Sequence, residues 1–287
     1  MYNAVAPLRR HEGAYLMRFL FTNDDGVNAD GLWALIRRAR EIPDLEVVAV
    51  APDRERSASG HAISIHQPIE VREVTSLEIG SKDGHVRVYA ATGTPADCVK
   101  LAIQGLMDSP PDFIISGINR GPNLGTDVFY SGTVSAAMEG ALLGVKSMAI
   151  SVTAFENVDY RVAAEFAVDQ ALLAVSDVDW PRLVNVNVPA VSRESLSGTA
   201  ITRLGVQTYR DAFTKRTDPK GRDWFWLSGT LIDHEEQSDT DTCAIRRNLI
   251  SVTPLVTDLT DHSGIGSLSK KSLLVPADRG GDGLTRI

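Results

Sequence analysis

Cysteine and long apolar runs are scarce in this 287-residue sequence, which holds only 2 Cys. Two thiols, Cys98 and Cys243, cannot build a disulfide scaffold and are typical of a reducing compartment, so we expect a cytoplasmic protein. No apolar run approaches the ~18 residues of a membrane span. Residues 1–16 also lack the apolar stretch of a secretory signal. The composition therefore excludes a disulfide-rich secreted domain and a helical membrane protein.

Basic residues are in the minority, since 29 Lys and Arg stand against 37 Asp and Glu for a formal net charge of -8. This balance argues against a nucleic-acid polymer or an anionic membrane as a partner. A small phosphate compound stays compatible with it, because backbone N–H groups or a bound cation can hold phosphate inside an acidic protein.

Three common catalytic signatures are missing as well. The sequence has no Gly-x-Gly-x-x-Gly after its first strand, no Gly-x-x-x-x-Gly-Lys loop and no Gly-x-Ser-x-Gly elbow. These absences argue against dinucleotide-dependent dehydrogenases, P-loop enzymes and hydrolases with a serine nucleophile. The 6 His residues are scattered without metal-ligand spacing, which disfavours zinc. We interpret His61, which follows a serine-rich loop, as a structural residue.

Short apolar strands alternate with helical patterns up to about residue 190. Helices are expected from Asp30, from Pro95 behind an N-capping Thr94, and over 132–144 and 161–175. The expected strands cover 18–22, 46–51, 61–65, 69–74, 86–91, 113–117, 146–152 and 183–188. This alternation predicts an α/β fold with a doubly wound, mostly parallel sheet.

The pattern changes after residue 200, where strand-like pieces at 201–204, 224–227 and 249–255 follow one another without intervening helices. We therefore predict four segments. They are a disordered or upstream extension (1–16), a catalytic core (17–200), a β-rich oligomerisation extension (201–266) and an atypical tail (267–287).

Polar side chains follow the strands of the predicted core. Asp24 and Asp25 come directly after the first strand, residues 53–59 follow the second, and Asn119 and Asn123 follow the strand at 113–117. In an open α/β sheet, ligands bind at these carboxyl ends. Adjacent carboxylates repel each other unless a cation compensates them. If Asn119 and a serine of the second loop join the pair, the all-oxygen set suits Mg²⁺ or Mn²⁺. The alternative is that Asn-Asp-Asp-Gly is only a turn or helix cap.

A glycine-rich loop after residue 117 ends at Ser131, Gly132 and Thr133, where a helix is expected to begin. Free N–H groups and the helix dipole favour an anion at such a position. The sequence therefore predicts a phosphate site at this turn.

Taken together, these motifs resemble the SurE-type survival proteins. The resemblance spans about residues 17–264 and has weaker matches at 185–189, 218–222 and 251–255. The stretches that carry it are FTNDDGV (21–27), APDRERS (51–57), GTPADCV (93–99), SGINRGPNLG (116–125) and YSGTVSAAMEG (130–140). Two departures are the residues upstream of Met17 and the tail after Gly264, which is unlike the family's C-terminal helix.

The resemblance implies a Rossmann-like core and a metal-dependent nucleotidase that hydrolyses nucleoside monophosphates. It implies one divalent ion per subunit, Mg²⁺ or Mn²⁺, held by Asp24, Asp25, Ser57 and Asn119. By the same resemblance, Asn123 and the turn at Ser131, Gly132 and Thr133 hold the substrate phosphate. It further implies a homodimer or homotetramer joined through the C-terminal extension.

The expected reaction is phosphomonoester hydrolysis, in which Asp24 or Asp25 orients the attacking water. Two alternatives stay open. One is a phosphatase that forms an aspartyl-phosphate, although such enzymes commonly carry Asp-x-Asp rather than contiguous carboxylates. The other is a nucleotide sensor that binds without cleaving.

Overall fold

A computed structural model of the chain describes residues 10–11, 14–15, 17–75, 85–210, 213–232, 237–271, 274–275 and 285–286. The chain divides into two compact units, Met1–Leu255 and Val256–Ile287. The first unit holds the central sheet and every predicted site residue.

We number the strands from Met17 onward. They are β1 (Met17–Thr22), β2 (Leu45–Pro52), β3 (Val71–Glu73), β4 (Val86–Ala91), β5 (Phe113–Arg120), β6 (Ser147–Val152), β7 (Leu183–Val188), β8 (Thr199–Ile201), β9 (Thr208–Arg210), β10 (Phe213–Thr217), β11 (Asp223–Leu227), β12 (Thr230–Ile232) and β13 (Ile250–Leu255). Near the chain ends, two-residue strands pair as Arg10–His11 with Ala14–Tyr15 and as Leu274–Val275 with Thr285–Arg286.

Helices fill the connections between the strands. They are α1 (Asp30–Ala39), α2 (Pro95–Leu101), α3 (Gly132–Leu142), α4 (Arg161–Ser176), α5 (Asp241–Arg246) and α6 (His262–Leu268). A π-helical turn, Ala102–Leu106, continues α2, and short 3₁₀ helices cover Gly125–Phe129 and Arg193–Ser195.

Nine strands form one sheet in the order β8-β13-β7-β6-β5-β1-β2-β4-β3. The six strands from β7 to β4 are mutually parallel, whereas β3 and β13 pair antiparallel with their neighbours β4 and β7. This order confirms the predicted doubly wound, mostly parallel α/β fold. Strand β1 pairs with β2 on one side and with β5 on the other, so the order in which the chain adds strands to the sheet reverses at β1. Open α/β folds bind ligands at such a reversal of strand order.

The central strands are buried on both faces. All residues of β2, β6 and β7 are buried, as expected for parallel strands covered by helices on both sides. Helices α1 and α4 pack together on one face, and α2 and α3 pack together on the other. The carboxyl ends of β1, β5 and β6 therefore open between two helical layers.

Helix α2 begins as the sequence predicts. The Thr94 hydroxyl accepts from the Asp97 N–H at 3.1 Å, and the Asp97 carboxylate accepts from the Thr94 N–H at 2.9 Å. Residues 61–65 do not form the predicted strand, because they bond to this capping box. The Ala62 carbonyl accepts from the Thr94 hydroxyl at 2.7 Å, and the Ser64 N–H donates to Asp97 at 2.9 Å. The segment is tied to a helix start instead of a neighbouring strand.

The region after residue 200 differs from its prediction in two respects. Helices α5 and α6, capped by the Thr240 and Asp261 side chains, lie where no helix was expected, because six or seven residues are too few to show a helical periodicity. Strands β8 and β13 extend the main sheet, whereas β9 to β12 form two separate two-stranded sheets. The predicted strand at 69–74 is shortened to β3.

Most of the predicted extension 1–16, apart from the paired strands Arg10–His11 and Ala14–Tyr15, and most of the tail 267–287 lie outside the described residues. In the described part of the chain, no helix combines the length and the hydropathy needed to cross a bilayer. Cys98 and Cys243 are both free thiols. Burial raises the pKa of the Cys98 thiol far above its ordinary value.

Candidate metal and phosphate site

Asp24 and Asp25 lie in the turn that follows β1, at the point where the strand order reverses. The Asn23 side chain closes this turn, since its Nδ2 donates to the Gly26 carbonyl at 2.9 Å and its Oδ1 accepts from the Gly26 N–H at 3.1 Å. The N-cap of α1 is Ala29, which has no side-chain cap. The Asn23 side chain therefore stabilises the turn, and neither Asp24 nor Asp25 caps α1.

The two carboxylates have hydrogen-bond donors but no basic partner. The Thr133 hydroxyl donates to Asp24 Oδ1, and the Arg120 N–H donates to Asp25 Oδ2 at 3.1 Å. Among the described residues, no Lys, Arg or His side chain forms an ion pair with either carboxylate. The charge of Arg120 acts on Asp25 only through space and lowers its pKa, without forming an ion pair. Two neighbouring carboxylates that lack an ion-paired base are the arrangement that a bound cation compensates.

Burial governs the ionisation of the pair. Asp24 is only 4% exposed, and this burial raises its pKa to about 6, against the Thr133 hydrogen bond and with help from the charge of Asp25. Burial also raises the pKa of Asp25, although the Arg120 N–H opposes the shift. The folded chain therefore resists placing two negative charges here unless a positive charge joins them.

Asn119, near the end of β5, adds an uncharged oxygen. Its Nδ2 donates to the Gly121 carbonyl at 2.9 Å, so the opposite side of the amide, Oδ1, takes no hydrogen bond from any described residue. An amide oxygen fixed in this way fits the oxygen-ligand set that the sequence predicts.

The loop after β2 reaches the site, with Arg56 donating its N–H to the Asp24 carbonyl at 2.7 Å. Ser57 is exposed, and its hydroxyl donates to Glu55 at 2.7 Å. Ser59, which the sequence did not single out within this loop, has a buried hydroxyl without a partner in the described structure. A Cβ at position 132 would lie 3.0 Å from this hydroxyl and 2.9 Å from Asp24 Oδ2.

The N-terminus of α3 lies against Asp24. Ser131 caps the helix by accepting from the Val134 N–H at 3.1 Å, and Gly132 leaves the space that lets the backbone approach the carboxylate. Ser131, Gly132 and Thr133 are all buried. First-turn N–H groups beside a compensated carboxylate pair are suited to phosphoryl oxygens.

Asn123 makes different contacts from those the prediction requires. Its Nδ2 donates to the Ser151 hydroxyl at 2.8 Å, and its carbonyl accepts from Asn185 and Asn187. These bonds fasten the glycine-rich loop to β6 and β7. Asp241 adds a second attachment, since it accepts from the Gly125 and Gly205 N–H groups, both at 2.8 Å. Asn123 is thus engaged in holding the loop, and its phosphate role stays a prediction.

His61 contacts a carboxylate of α3, and its interpretation as a structural residue stays a prediction. Its Nε2 is 2.8 Å from Glu139 Oε2, and Lys100 Nζ donates to the other carboxylate oxygen at 2.9 Å. The His61 hydrogen bond lowers the pKa of Glu139 against burial, with help from Lys100. This cluster fastens the second loop to α2 and α3.

The donor set favours a hard cation. In the part of the chain that the structure describes, no three His, Cys, Asp or Glu side chains gather into a metal cluster. The candidate ligands are instead two carboxylates, a hydroxyl and an amide oxygen, which suit Mg²⁺ or Mn²⁺ and disfavour zinc.

Comparisons with known proteins point to one family. The model of the family described as "Survival protein SurE" matches residues 19–211. The 5′-nucleotidase SurE of Natranaerobius thermophilus is 46% identical over 88% of this chain and 98% of its own. The protein of the same name from Heliobacterium modesticaldum is 48% identical over 88% of this chain and 91% of its own. The crystal structure of the SurE protein from Aquifex aeolicus superposes with a TM-score of 0.74 at 36% identity, covering 88% and 98% of the two chains.

Proposed function

Since the chain belongs to the SurE family, we infer that it is a 5′-nucleotidase, an enzyme that hydrolyses nucleoside monophosphates to nucleoside and inorganic phosphate. The observation that supports this inference beyond the family name is the carboxylate pair at the reversal of strand order. Among the described residues, no basic side chain forms an ion pair with it, and it lies against the N-terminus of α3. A cation and a phosphate together satisfy both features.

We propose that Asp24, Asp25, Ser57 and Asn119 hold one Mg²⁺ or Mn²⁺ per subunit. The raised pKa values of the two carboxylates and the free amide oxygen of Asn119 support this set. The Ser57 hydroxyl must leave Glu55 to join it, whereas the Ser59 hydroxyl is already buried and unpaired near Asp24. When bound, such an ion neutralises charge on the phosphoryl group and lowers the pKa of a water molecule.

Side-chain and backbone groups of this chain orient the reacting groups. Thr133 fixes Asp24, the Arg120 N–H fixes Asp25, and the N–H groups at the start of α3 receive phosphoryl oxygens. A water oxygen attacks phosphorus, the bond from phosphorus to the ester oxygen breaks, and one carboxylate of the pair accepts the proton of the water. The same carboxylate passes this proton to the oxygen of the departing nucleoside, and inorganic phosphate remains.

We further propose that the protein works as a homodimer or homotetramer in the cytoplasm. The hairpin of β10 and β11 exposes every one of its strand residues, including Phe213, Trp224, Phe225 and Trp226. A two-stranded hairpin with exposed aromatic side chains is marginal alone and gains stability by packing on another subunit. The free thiols of Cys98 and Cys243 support a reducing compartment.

The test is release of inorganic phosphate from nucleoside monophosphates with Mg²⁺, with Mn²⁺ and with a chelator. We expect metal-dependent turnover that the chelator abolishes and that added metal restores. Turnover that persists after exhaustive chelation would overturn the metal assignment. Capture of a phosphoaspartate during turnover would replace direct attack by water with covalent catalysis, and nucleotide binding without release would identify a sensor.

A further inference from the structure

A cleft of about 520 Å³ opens beside the candidate metal site. Its walls come from the loop after β6 and from the ends of β5 and α1, and they include Asp30, Arg120, Phe155 and Tyr160. Arg120 joins the cleft to the site, because its N–H donates to Asp25 at 3.1 Å. The volume lies within the ~300–1,000 Å³ range of small-molecule sites. The cleft and the carboxylate pair are therefore adjacent, with Arg120 between them.

An aromatic side chain forms one wall of the cleft. Phe155 is 68% exposed, although an apolar ring of this size is ordinarily covered. The ring lies on the backbone of Gly121, where an added Cβ would be only 2.4 Å from the ring carbon Cε1. Gly121 has a φ of +105°, which also favours glycine. The loop thus holds an exposed ring on a backbone platform, and such a ring stacks readily on a planar base.

The polar groups of the cleft fit the rest of a nucleotide. The exposed guanidinium of Arg120 makes no hydrogen bond or ion pair with any residue that the structure describes. Its charge, which opposes the raised pKa of Asp25, can also attract an anion in the cleft. Next to Phe155, Glu156 offers carboxylate acceptors and Asn157 offers both an amide donor and an acceptor. Those are the groups that hydrogen-bond to the edge of a nucleobase.

We propose that this cleft is the nucleoside subsite: Phe155 stacks on the base, Glu156 and Asn157 contact its edge, and Arg120 binds the phosphate at the end nearest Asp25. The proposal rests on the proposed nucleotidase function and names where that function gains its preference for nucleotides. Other phosphate esters can make the same phosphate contacts, but they carry no base that could stack on Phe155.

The experiment compares two substrates in three proteins. The substrates are a nucleoside 5′-monophosphate and ribose 5-phosphate, which is the same ester without a base. The proteins are the full-length chain, Phe155→Ala and Phe155→Tyr, each with Mn²⁺. In Phe155→Ala, the ratio of kcat/KM for the nucleotide to kcat/KM for ribose 5-phosphate should fall about 5- to 150-fold, mainly through KM. Phe155→Tyr keeps a stacking ring and should retain the ratio.

Leu173→Ala is the matched control, because Leu173 is an exposed apolar residue of α4 outside the cleft and should leave the ratio unchanged. An unchanged ratio in Phe155→Ala, or an equal loss on both substrates, would overturn the subsite.

Binding of the nucleoside monophosphate to the chelator-treated protein separates this proposal from the proposed function. Calorimetry should give weaker binding by Phe155→Ala than by the unmodified chain. If binding depends on Phe155 but no phosphate is ever released, the nucleotidase assignment fails and the subsite stands. If phosphate is released while binding is indifferent to Phe155, the subsite fails and the nucleotidase assignment stands.

Discussion

At the scale of single residues, the dominant feature is a charge placed where the folded chain disfavours it. Asp24 is buried, has a like charge as its sequence neighbour and takes only a hydroxyl and backbone groups as partners. Nothing in hydrophobic packing requires a carboxylate there. A site that sacrifices stability in the absence of its ligand is expected where the ligand supplies the missing charge.

Asp24→Asn should therefore stabilise the metal-free protein while removing one of the proposed metal ligands. The folded-state pKa of Asp24, about 6, exceeds the ordinary 3.8. Between these values the folded state binds the proton more tightly, so stability falls as the pH rises through this window and stays lower above it. We expect the variant to gain up to about 3 kcal/mol at pH 8 and little at pH 4.

Urea unfolding of chelator-treated protein at both pH values measures this difference. A variant that is less stable than the parent at pH 8 would contradict the burial argument, whereas added Mn²⁺ should stabilise only the parent.

The sequence predicts proximity where the position of a residue along a strand decides it. Asp24 contacts Thr133, and Asp25 contacts the backbone of Arg120 next to Asn119, because β1, β5 and α3 end or begin at one edge of the sheet. It does not distinguish Ser57 from Ser59, because which hydroxyl turns inward depends on how the loop packs against Gly132. No local pattern carries that information.

At the scale of elements, the loops after β2 and β5 are fastened rather than free. His61 and Lys100 hold Glu139 of α3 from two sides, while the Asn123 network and Asp241 hold the glycine-rich loop. Both loops carry candidate ligands, so these attachments fix the site's geometry from outside it. Fixed supports of this kind are what precise positioning of a reacting group requires.

Glu139→Gln tests the attachment of the second loop. The pKa of Glu139 is held below its ordinary 4.5 by the His61 hydrogen bond, then by Lys100. Such a group contributes stability above pH 4.5 that is lost as the pH falls through the folded-state pKa. We expect Glu139→Gln to cost about 1–3 kcal/mol at pH 7 and to approach the parent in acid.

Chemical denaturation across this pH range provides the measurement. The matched control is Glu165→Gln, because Glu165 is 44% exposed in its ion pair with Arg193 and should change stability by less than about 1 kcal/mol. Equal effects of the two substitutions at pH 7 would contradict the attachment.

Most elements could be predicted from the sequence because their signals are local. Apolar runs mark β1, β2, β5, β6 and β7, and the Thr94 capping box marks α2. Residues 61–65 have the composition of a strand, yet their backbone groups find partners in that capping box. Helix α5 has only six residues, so it depends on tertiary contacts that no periodicity reveals.

At the scale of the whole molecule, the main sheet places the residues of the candidate site close together, and the hairpin of β10 and β11 forms a separate, exposed sheet. The order in which strands pair is a long-range property, and the sequence predicts it only through the alternation of strands and helices. The entry of β13 into the main sheet, from a segment predicted to be an appendage, is a pairing of this kind.

Replacing Phe225 and Leu227 by serine should weaken subunit association. The two side chains lie on one face of β11 and are 62% and 76% exposed. We expect the unmodified protein to have the mass of a dimer or tetramer by light scattering, and the double variant to shift toward a single chain.

Val178→Ser is a suitable control for that experiment, since Val178 is 90% exposed outside the hairpin. An oligomer that survives both substitutions on β11, or a parent that is monomeric, would contradict the role given to the hairpin.

The proposed site is tested most directly by phosphate release from a nucleoside 5′-monophosphate by Asp24→Asn at saturating Mn²⁺, beside the unmodified chain. We expect turnover to fall at least about 1,000-fold in a protein that remains folded, because the proposed site uses this buried carboxylate both to hold the cation and to face the phosphate. Turnover within tenfold of the parent would contradict the assignment of this carboxylate pair as the catalytic site.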